Sequence, residues 1–291
     1  METSLATVVL RSYNERWALE GTLAALRAQR HSSWELIAFD SGSTDGSVDL
    51  LQAANPRVFV RLSPRDYRPG RVLNQAMTLA RTDRVIFLNA DATPVGPDWL
   101  GPLIGALEDS RTAAVFGRQV PRPGCRAVFA RDYERCFGHR RPSAKWDHFF
   151  SMVSSGLRRD VWALRGFREE MQYSEDDEYT RWCVSRGYTI RYCPESVVAH
   201  SHNYTPGQAY RRSFGEAWAL AGMPSAAMRR MSAPAVFLGW IRDLLGDLRY
   251  CALRGRLGEW RRAPALRWSQ RLGRLDGFRA GWRMHRVDGL L

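Results

Sequence analysis

Short apolar runs alternate with amphipathic stretches along the first hundred residues, and this alternation restricts the fold more than any other feature of the chain. The apolar runs are rich in Val, Ile, Leu and Phe, and they cover residues 7–10, 36–39, 58–60 and 85–88. Between the first two runs, Leu19, Leu23 and Leu26 recur at a spacing that places them on one face of a helix. Strands that alternate with helices predict an α/β fold, with a mainly parallel sheet flanked by helices.

Polar clusters follow three of the four predicted strands, at 12–15, 40–46 and 89–92. In open α/β sheets, ligands bind in the crevice outside the carboxyl ends of the strands. The sequence therefore predicts a ligand site along this edge of the sheet.

The first two clusters each have a binding interpretation and a structural one. Tyr13 is suited to stack on a base and Glu15 to accept from a ribose or a base, or else the segment is a turn in which Asn14 caps the next helix. Asp40 is the binding candidate of the second cluster, because one of residues 43–45 is expected to cap the helix that follows.

Asp91 follows the fully apolar fourth strand, which holds it at the predicted edge. A carboxylate at this position is suited to Mg²⁺ or Mn²⁺, hard cations that prefer oxygen ligands and are often shared with substrate phosphates. The alternative is a cap for a helix that begins near Pro97. His200 becomes a candidate imidazole ligand if Asp91 holds a metal, and is otherwise structural.

Four consecutive acids occupy residues 175–178, directly before a helical stretch that starts at Tyr179. Acids at a helix start are favoured by the helix dipole, which is the structural interpretation. Four together exceed what that interaction needs, so one of them is a candidate general base.

Basic charge is concentrated in the last quarter of the chain. From residue 226 onward there are fourteen arginines and five acids, which supply +9 of the net charge of +13. Apolar residues recur at helical spacing over 237–248 and 268–282, so we expect a basic, amphipathic, helical tail.

Two placements of this tail stay open: on an anionic membrane surface, or packed against the rest of the protein. Because no apolar run approaches the roughly 20 residues that span a bilayer, and no signal sequence precedes the first strand, we expect a cytoplasmic protein, peripheral at the inner face of the membrane if the tail binds lipid.

A basic nucleic-acid-binding protein is a competing class. We expect no nucleic acid partner, since the arginines match no reader motif and the acid run would repel phosphates.

The clusters, in their order, resemble glycosyltransferase family 2, the inverting GT-A glycosyltransferases. The matching segments are SYNE at 12–15, DSGSTDGS at 40–47, LNADATP at 88–94, SEDDEYTRW at 174–182 and VVAH at 197–200, with smaller matches at GRVLNQA (70–76), SSG (154–156) and RGF (165–167). The resemblance implies a Rossmann-like GT-A domain over 1–220, with a nucleotide-sugar-binding half (1–110) and an acceptor-binding half (111–220). The basic tail is then 221–291.

The resemblance also implies roles for single residues. The donor-binding residues would be Tyr13, Glu15, Asp40, Ser41, Arg71, Asn74 and Asn89. Asp91 stands at the last position of the family's DXD metal motif, and His200 matches a histidine that completes the metal site. Asp176, in the pair Glu175-Asp176, matches the catalytic base.

Asn89 departs from the family pattern, because it stands where the DXD motif has its first aspartate. Its neutral amide predicts weaker metal binding or a contact to the sugar instead. LNADATP resembles the branch that includes bacterial rhamnosyltransferases, which favours a dTDP-sugar such as dTDP-rhamnose, with a UDP-sugar as the alternative.

The implied function is inverting transfer to a hydroxyl of a glycan or lipid-linked acceptor in bacterial cell-surface polysaccharide synthesis. A sugar-nucleotide binder without catalysis is the alternative that Asn89 keeps open.

Overall fold

A computed structural model of the chain describes residues 6–138, 148–221, 223 and 232–287. Within these residues, eight strands form one sheet. They are β1 (Ala6–Ser12), β2 (Trp34–Asp40), β3 (Val58–Arg61), β4 (Arg84–Asn89), β5 (Thr93–Pro94), β6 (Thr112–Val120), β7 (Ser154–Arg158) and β8 (Thr189–Ala199). Their order in the sheet is β3-β2-β1-β4-β7-β6-β8-β5.

The predicted α/β fold is confirmed, and the four strands read from the sequence are parallel neighbours. The sheet is mixed beyond them: β7 runs antiparallel to both β4 and β6, and β5 runs antiparallel to β8. The carboxyl ends of β1, β2 and β4 therefore meet at one edge, as the prediction requires.

The described residues also form ten α-helices. They are α1 (Arg16–Arg27), α2 (Ser47–Ala53), α3 (Pro69–Leu79), α4 (Leu100–Ala106), α5 (Ala127–Cys136), α6 (Arg159–Leu164) and α7 (Glu175–Ser185), followed by α8 (Pro206–Leu220), α9 (Ala233–Leu253) and α10 (Ala263–Val287). Alternate residues of β1 enter two separate cores: Val8 and Leu10 pack in the one that contains Leu19, and Val9 packs in the one that contains Leu73. This alternation is the two-residue period of a strand that is buried on both faces.

The chain divides into two compact units. The first is Met1–Arg122, Tyr133–Glu170 and Glu175–His200, and the second is Pro123–Asp132, Met171–Ser174 and Ser201–Leu291. The second unit includes α8, whereas the predicted tail starts only at residue 221. The division into a GT-A domain (1–220) and a basic tail (221–291) stays a prediction. Its boundary differs from the boundary between the two compact units.

Three glycines explain why α8 packs with the C-terminal helices. A Cβ atom on Gly273, Gly277 or Gly281 of α10 would overlap the α8 backbone at Tyr210, Phe214 or Trp218, respectively. The glycines recur every four residues on one face, so the two helix backbones approach closely along their length.

A network of buried charges connects the helices of the second unit. Arg267 is buried, and its guanidinium donates to Asp247 (2.7 Å), to Asp132 (2.6 Å) and to the carbonyl of Val128 (3.2 Å). Arg131 donates to the other oxygen of Asp247 at 2.7 Å. These two arginines therefore serve packing within the second unit, and the placement of the basic tail stays a prediction. None of the described helices combines the length and apolar character needed to cross a bilayer.

Candidate active site

A cavity of about 380 Å³ opens at the carboxyl ends of the first strands. The strand register pairs Ser12 with Asp40 and Arg11 with Asn89, which brings the three predicted polar clusters together. The cavity is lined by Arg11, Ser12, Tyr13, Glu15, Ser41, Pro64, Tyr67 and Asn89. Four of these were predicted donor-binding residues, and the strand residue Arg11 and the loop residue Tyr67 were not.

Arg11 connects the ends of β1 and β4. Its Nη2 donates to Asn89 Oδ1 at 2.7 Å and to the carbonyl of Met152 at 3.1 Å, and its guanidinium lies 6.0 Å from the centre of the Phe87 ring. The amide oxygen of Asn89 is therefore an acceptor for an arginine. No sequence signal announces this contact, because the two residues are 78 positions apart.

Asp40 is fully buried and shapes the loop beside the cavity. Its Oδ1 accepts from the backbone N–H groups of Gly42 (2.9 Å) and Ser43 (2.8 Å). Its Oδ2 is buried and makes no hydrogen bond to any residue that the structure describes. Asp40 does not line the cavity, although its neighbour Ser41 does, so the predicted contact between Asp40 and a donor stays a prediction.

The capping alternatives of these loops are resolved in detail. Asn14 has a φ of 55°, and its Oδ1 accepts from Thr44 N, so it joins two loops rather than capping α1. Asp45 is the residue of 43–45 that bonds the start of α2, because its Oδ1 accepts from Ser47 N at 3.0 Å.

Glu15 is a largely buried carboxyl at the cavity wall. Burial, and next the charge of Asp91, raise the pKa of Glu15 to about 8, although Arg11 opposes the shift. Its Oε2 makes no hydrogen bond within the described residues. Tyr13, by contrast, is half-exposed at the cavity mouth, where a ring is available for stacking.

Asp91 and His200 face each other in the interior. Asp91 is 1% exposed and His200 5%, and His200 Nε2 lies 3.4 Å from Asp91 Oδ2. Gln119 donates through Nε2 to Ser151 (2.8 Å), which directs its Oε1 at His200 Nδ1 (2.8 Å). This arrangement assigns a proton to Nδ1 and directs Nε2 towards the Asp91 carboxylate.

Two groups with lone pairs at this distance fit a shared cation, since a buried carboxylate and a neutral imidazole are both ligands for divalent metals. The predicted capping alternative for Asp91 is wrong: α4 starts at Leu100, and the N–H groups of Trp99 and Leu100 donate to Gln29 Oε1. The Asp91 backbone is held by Arg122, whose Nη2 donates to its carbonyl at 2.6 Å.

The four acids at the start of α7 divide into two pairs. Asp177 accepts from Arg181 at 2.7 Å and lies 3.0 Å from His148 Nδ1, and Glu178 is bound by Arg165. Burial alone would raise the pKa of Asp177, but the hydrogen bonds from His148 and Arg181 lower it. These two acids are therefore structural.

Glu175 and Asp176 have the opposite character. Burial, and next the charge of Asp176, raise the pKa of Glu175 to about 8. The pKa of Asp176 is also raised by burial, although its Oδ1 accepts from Asp177 N at 2.9 Å. Two adjacent carboxyls with raised pKa values titrate as a coupled pair, and a raised proton affinity suits proton transfer.

Arg71 and Asn74 do not line the cavity. Asn74 Oδ1 accepts from Trp162 Nε1 (2.9 Å) and Phe167 N (2.8 Å), and its Nδ2 donates to Phe167 O (2.9 Å). Arg71 is more than half exposed, with Nε 3.5 Å from Glu169. The structure thus shows Asn74 holding the 162–169 segment, and the donor role of both residues stays a prediction.

Comparisons with known proteins give the family of the chain. Residues 7–168 match the family described as glycosyl transferase family 2. The chain is 32% identical to the O-antigen chain rhamnosyltransferase WbaN of Salmonella anatum over 224 residues, which cover 72% of this chain and 70% of the relative. RfbN of Salmonella typhimurium, an O-antigen chain rhamnosyltransferase, is also 32% identical, with the same coverage.

Solved structures show the same fold at low sequence identity. The mannosyltransferase PcManGT from Pyrobaculum calidifontis, in complex with GDP-Man and Mn²⁺, superposes with a TM-score of 0.60 at 19% identity, over 92% of this chain and 85% of that one. Residues 1–349 of TarS from S. aureus, in complex with UDP, superpose with a TM-score of 0.53 at 16% identity, over 97% and 91%. Both likenesses support the fold.

Proposed function

Because the chain belongs to glycosyl transferase family 2, we propose that it moves a sugar from a nucleotide diphosphate to a hydroxyl of a glycan or lipid-linked acceptor. One observation carries this proposal: a cavity at the strand ends, lined by Tyr13, Glu15 and Ser41, is coupled electrostatically through Glu15 to the buried pair Asp91 and His200. An aromatic ring, hydroxyl and carboxyl acceptors, and a cation site together suit a nucleotide diphosphate.

The proposed donor is a dTDP-sugar, with dTDP-rhamnose first and a UDP-sugar second. The two O-antigen chain rhamnosyltransferases at 32% identity support this order. They also support a place in bacterial surface polysaccharide synthesis. Tyr13 would stack on the base, and Glu15, Asp40 and Ser41 would accept from the ribose and base.

Mg²⁺ or Mn²⁺ is the proposed cofactor, and Asp91 and His200 would hold it. When bound, such an ion neutralises charge on the leaving diphosphate. The neighbour solved with Mn²⁺ supports this choice. Arg11 adds a fixed positive charge at the same edge, because its guanidinium lines the cavity beside Asn89.

The proposed reaction is direct displacement with inversion. Asp176 accepts the proton from the acceptor hydroxyl as the oxygen forms a bond to the anomeric carbon, on the face opposite the diphosphate. The bond to the diphosphate breaks in the same step, and the diphosphate leaves with the electron pair. Burial raises the pKa of Asp176, and the charge of Asp176 adds to the effect of burial on the pKa of Glu175, so both carboxyls have a raised proton affinity.

The proposed location is the cytoplasm, with the chain peripheral at the inner face of the cell membrane, where a lipid-linked acceptor would be presented. The basic second unit supports this location.

A donor screen tests the proposed function. The purified chain would be mixed with dTDP-, UDP- and GDP-sugars, with Mn²⁺ and then with EDTA, while release of nucleotide diphosphate and the melting temperature are followed. We expect one dTDP- or UDP-sugar to stabilise the protein and to be turned over only with metal. Stabilisation without turnover, for every acceptor offered, would favour a sugar-nucleotide binder, and no response to any donor would contradict the proposal.

A further inference from the structure

Helix α9 presents a row of apolar side chains to solvent. Leu238 and Leu245 are 68% and 63% exposed, and Ile241 and Leu248 are exposed beside them. Their spacing of three, four and three residues places them in one stripe along the helix. Phe237, which is 51% exposed, extends the stripe at its start.

The opposite face of α9 is fixed inside the second unit. Val236, Asp247 and Cys251 are buried, and Trp240 Nε1 donates to the carbonyl of Pro264 at 3.0 Å. Asp243 adds an ion pair with Arg271 at 2.6 Å. Because these contacts set the rotation of the helix, the apolar stripe cannot turn into the core.

Two arginines flank the stripe on one side. The pattern Leu-Gly-x-Ile-Arg at 238–242 recurs seven residues later as Leu-Gly-x-Leu-Arg at 245–249, so Arg242 and Arg249 are one heptad apart on the same face. Both are exposed, and neither forms an ion pair within the described part of the chain. The glycines of the pattern face inward, where a Cβ atom would overlap Arg271 or Arg131.

We propose that this face of α9, defined by Leu238, Ile241, Leu245, Leu248, Arg242 and Arg249, binds the surface of an anionic lipid bilayer. The four aliphatic side chains enter the boundary between headgroups and acyl chains, and the two arginines bind lipid phosphates. A helix that lies in the plane of the interface combines these two features, and each arginine adds attraction to an anionic leaflet. This inference gives the proposed peripheral location a defined surface.

A second copy of the chain fits this face less well. The seam is two heptads long, whereas a coiled coil usually needs three or four. In a symmetric antiparallel pair, the arginines of one copy would face those of the other, and the net charge of +13 adds repulsion. The arginines favour an anionic occupant over a cationic one.

Vesicle sedimentation with the full chain tests the inference without any sugar transfer, so its failure is distinguishable from failure of the proposed function. Vesicles of phosphatidylcholine alone would be compared with vesicles that also contain phosphatidylglycerol. We expect binding to the anionic vesicles only, and a loss of about tenfold in the partition coefficient for Leu238→Glu with Leu245→Glu. Leu164→Glu is the matched control, because Leu164 is a 67% exposed leucine of the first unit, and it should bind like the wild type.

A second pair, Arg242→Gln with Arg249→Gln, keeps the inference falsifiable if the glutamate variants fold poorly. It should weaken binding severalfold and reduce the salt sensitivity of binding. Wild-type chain that ignores anionic vesicles, or both double variants binding like the wild type, would overturn the inference. A dimer in light scattering that Leu238→Glu with Leu245→Glu dissociates would assign the face to a second copy and overturn it equally.

Discussion

Buried carboxylates occur in both compact units, at the strand ends of the first and between the helices of the second. In the second unit, Asp247 is fully buried and accepts from two arginines, Arg267 and Arg131. Burial alone would lower the pKa of Arg267, but the hydrogen bonds that it donates to Asp247 and Asp132, and the charges of these two carboxylates, raise it. In the first unit, burial raises the pKa of both Glu15 and Glu175 to about 8, because Arg11 only partly offsets it.

The difference separates a structural use of buried charge from a functional one. A buried carboxylate that is fully matched by arginines holds elements together, and removing one partner is costly. A cluster of buried carboxyls with raised proton affinity binds a proton or a metal readily, which is typical of active sites. The two units thus contain similar residue types in opposite electrostatic states.

The largest effect is expected for Asp176→Asn, which removes the proposed proton acceptor while keeping the shape of the side chain. Turnover should fall by about a hundred- to ten-thousandfold, the range for general base catalysis. Donor binding in calorimetry should persist. Asp177→Asn is the control: Asp177 is bound by Arg181 and His148, so its loss should reduce turnover less than about tenfold. Equal losses in both variants would erase the distinction between the two pairs of acids.

The second unit should respond in stability. Arg267→Met removes one of the two arginine partners of the buried Asp247, together with the hydrogen bonds that Arg267 donates to Asp132. The free energy of unfolding should fall by about 3 kcal/mol, as for other broken buried ion pairs. Arg274→Met, an exposed position of the same helix, should change it by less than about 0.5 kcal/mol. Urea unfolding of both variants measures the contrast, and two equal changes would contradict the role given to the network.

The first unit should instead become more stable when a cluster carboxyl is neutralised. Because the pKa of Glu175 is raised from 4.5 to about 8, its stabilising contribution is complete below pH 4.5 and is lost as the pH rises to about 8. The glutamine of Glu175→Gln cannot ionise, so the variant does not lose this stability as the pH rises. Its melting temperature should therefore match the wild type near pH 4.5 and exceed it at pH 9 by roughly 3 °C.

Glu178→Gln is the control for this pH series, because Glu178 is held by Arg165. Removing that paired charge should not give a difference that grows in favour of the variant as the pH rises. A melting temperature of Glu175→Gln that stays level with the wild type up to pH 9 would show that Glu175 is ionised at no cost to the fold.

The smallest effect concerns the departure at Asn89. In Asn89→Asp, Arg11 would bind the new carboxylate as an ion pair, so we expect the Kd for Mn²⁺ to change by less than about threefold. Adding Arg11→Gln should release that carboxylate and lower the Kd by about tenfold. Isothermal titration of both variants, with Arg11→Gln alone as control, measures the difference. A tenfold change in Asn89→Asp alone would mean that Arg11 does not control this position.

Local patterns were sufficient to predict the frame of the site. The apolar runs gave β1, β2, β3 and β4, and the polar residues after them lie at one edge of the sheet. The helices predicted from the apolar spacing over 237–248 and 268–282 are confirmed, since α9 and α10 contain these segments.

Contacts between distant residues could not be predicted. Arg11 reaches Asn89 across 78 positions, and Gln29 caps α4 across 70. The acid run is uniform in sequence, and its division into two pairs depends on Arg165, which binds Glu178, and on His148, which binds Asp177 together with Arg181. Such partners are set by tertiary packing, which has no period in the sequence.

Mn²⁺ binding followed by electron paramagnetic resonance tests the central claim most directly. The claim is that the strand-end carboxylates of the first unit form a cation site together with a nucleotide diphosphate. The Mn²⁺ that dTDP or UDP binds without protein is measured first and subtracted. Beyond that background, the wild type with nucleotide should remove the signal of free Mn²⁺. Asp91→Asn and His200→Ala should each leave most of that signal in place. Glu178→Gln, with its ion-paired acid removed, should behave like the wild type. Undiminished Mn²⁺ binding by Asp91→Asn and His200→Ala would contradict the account.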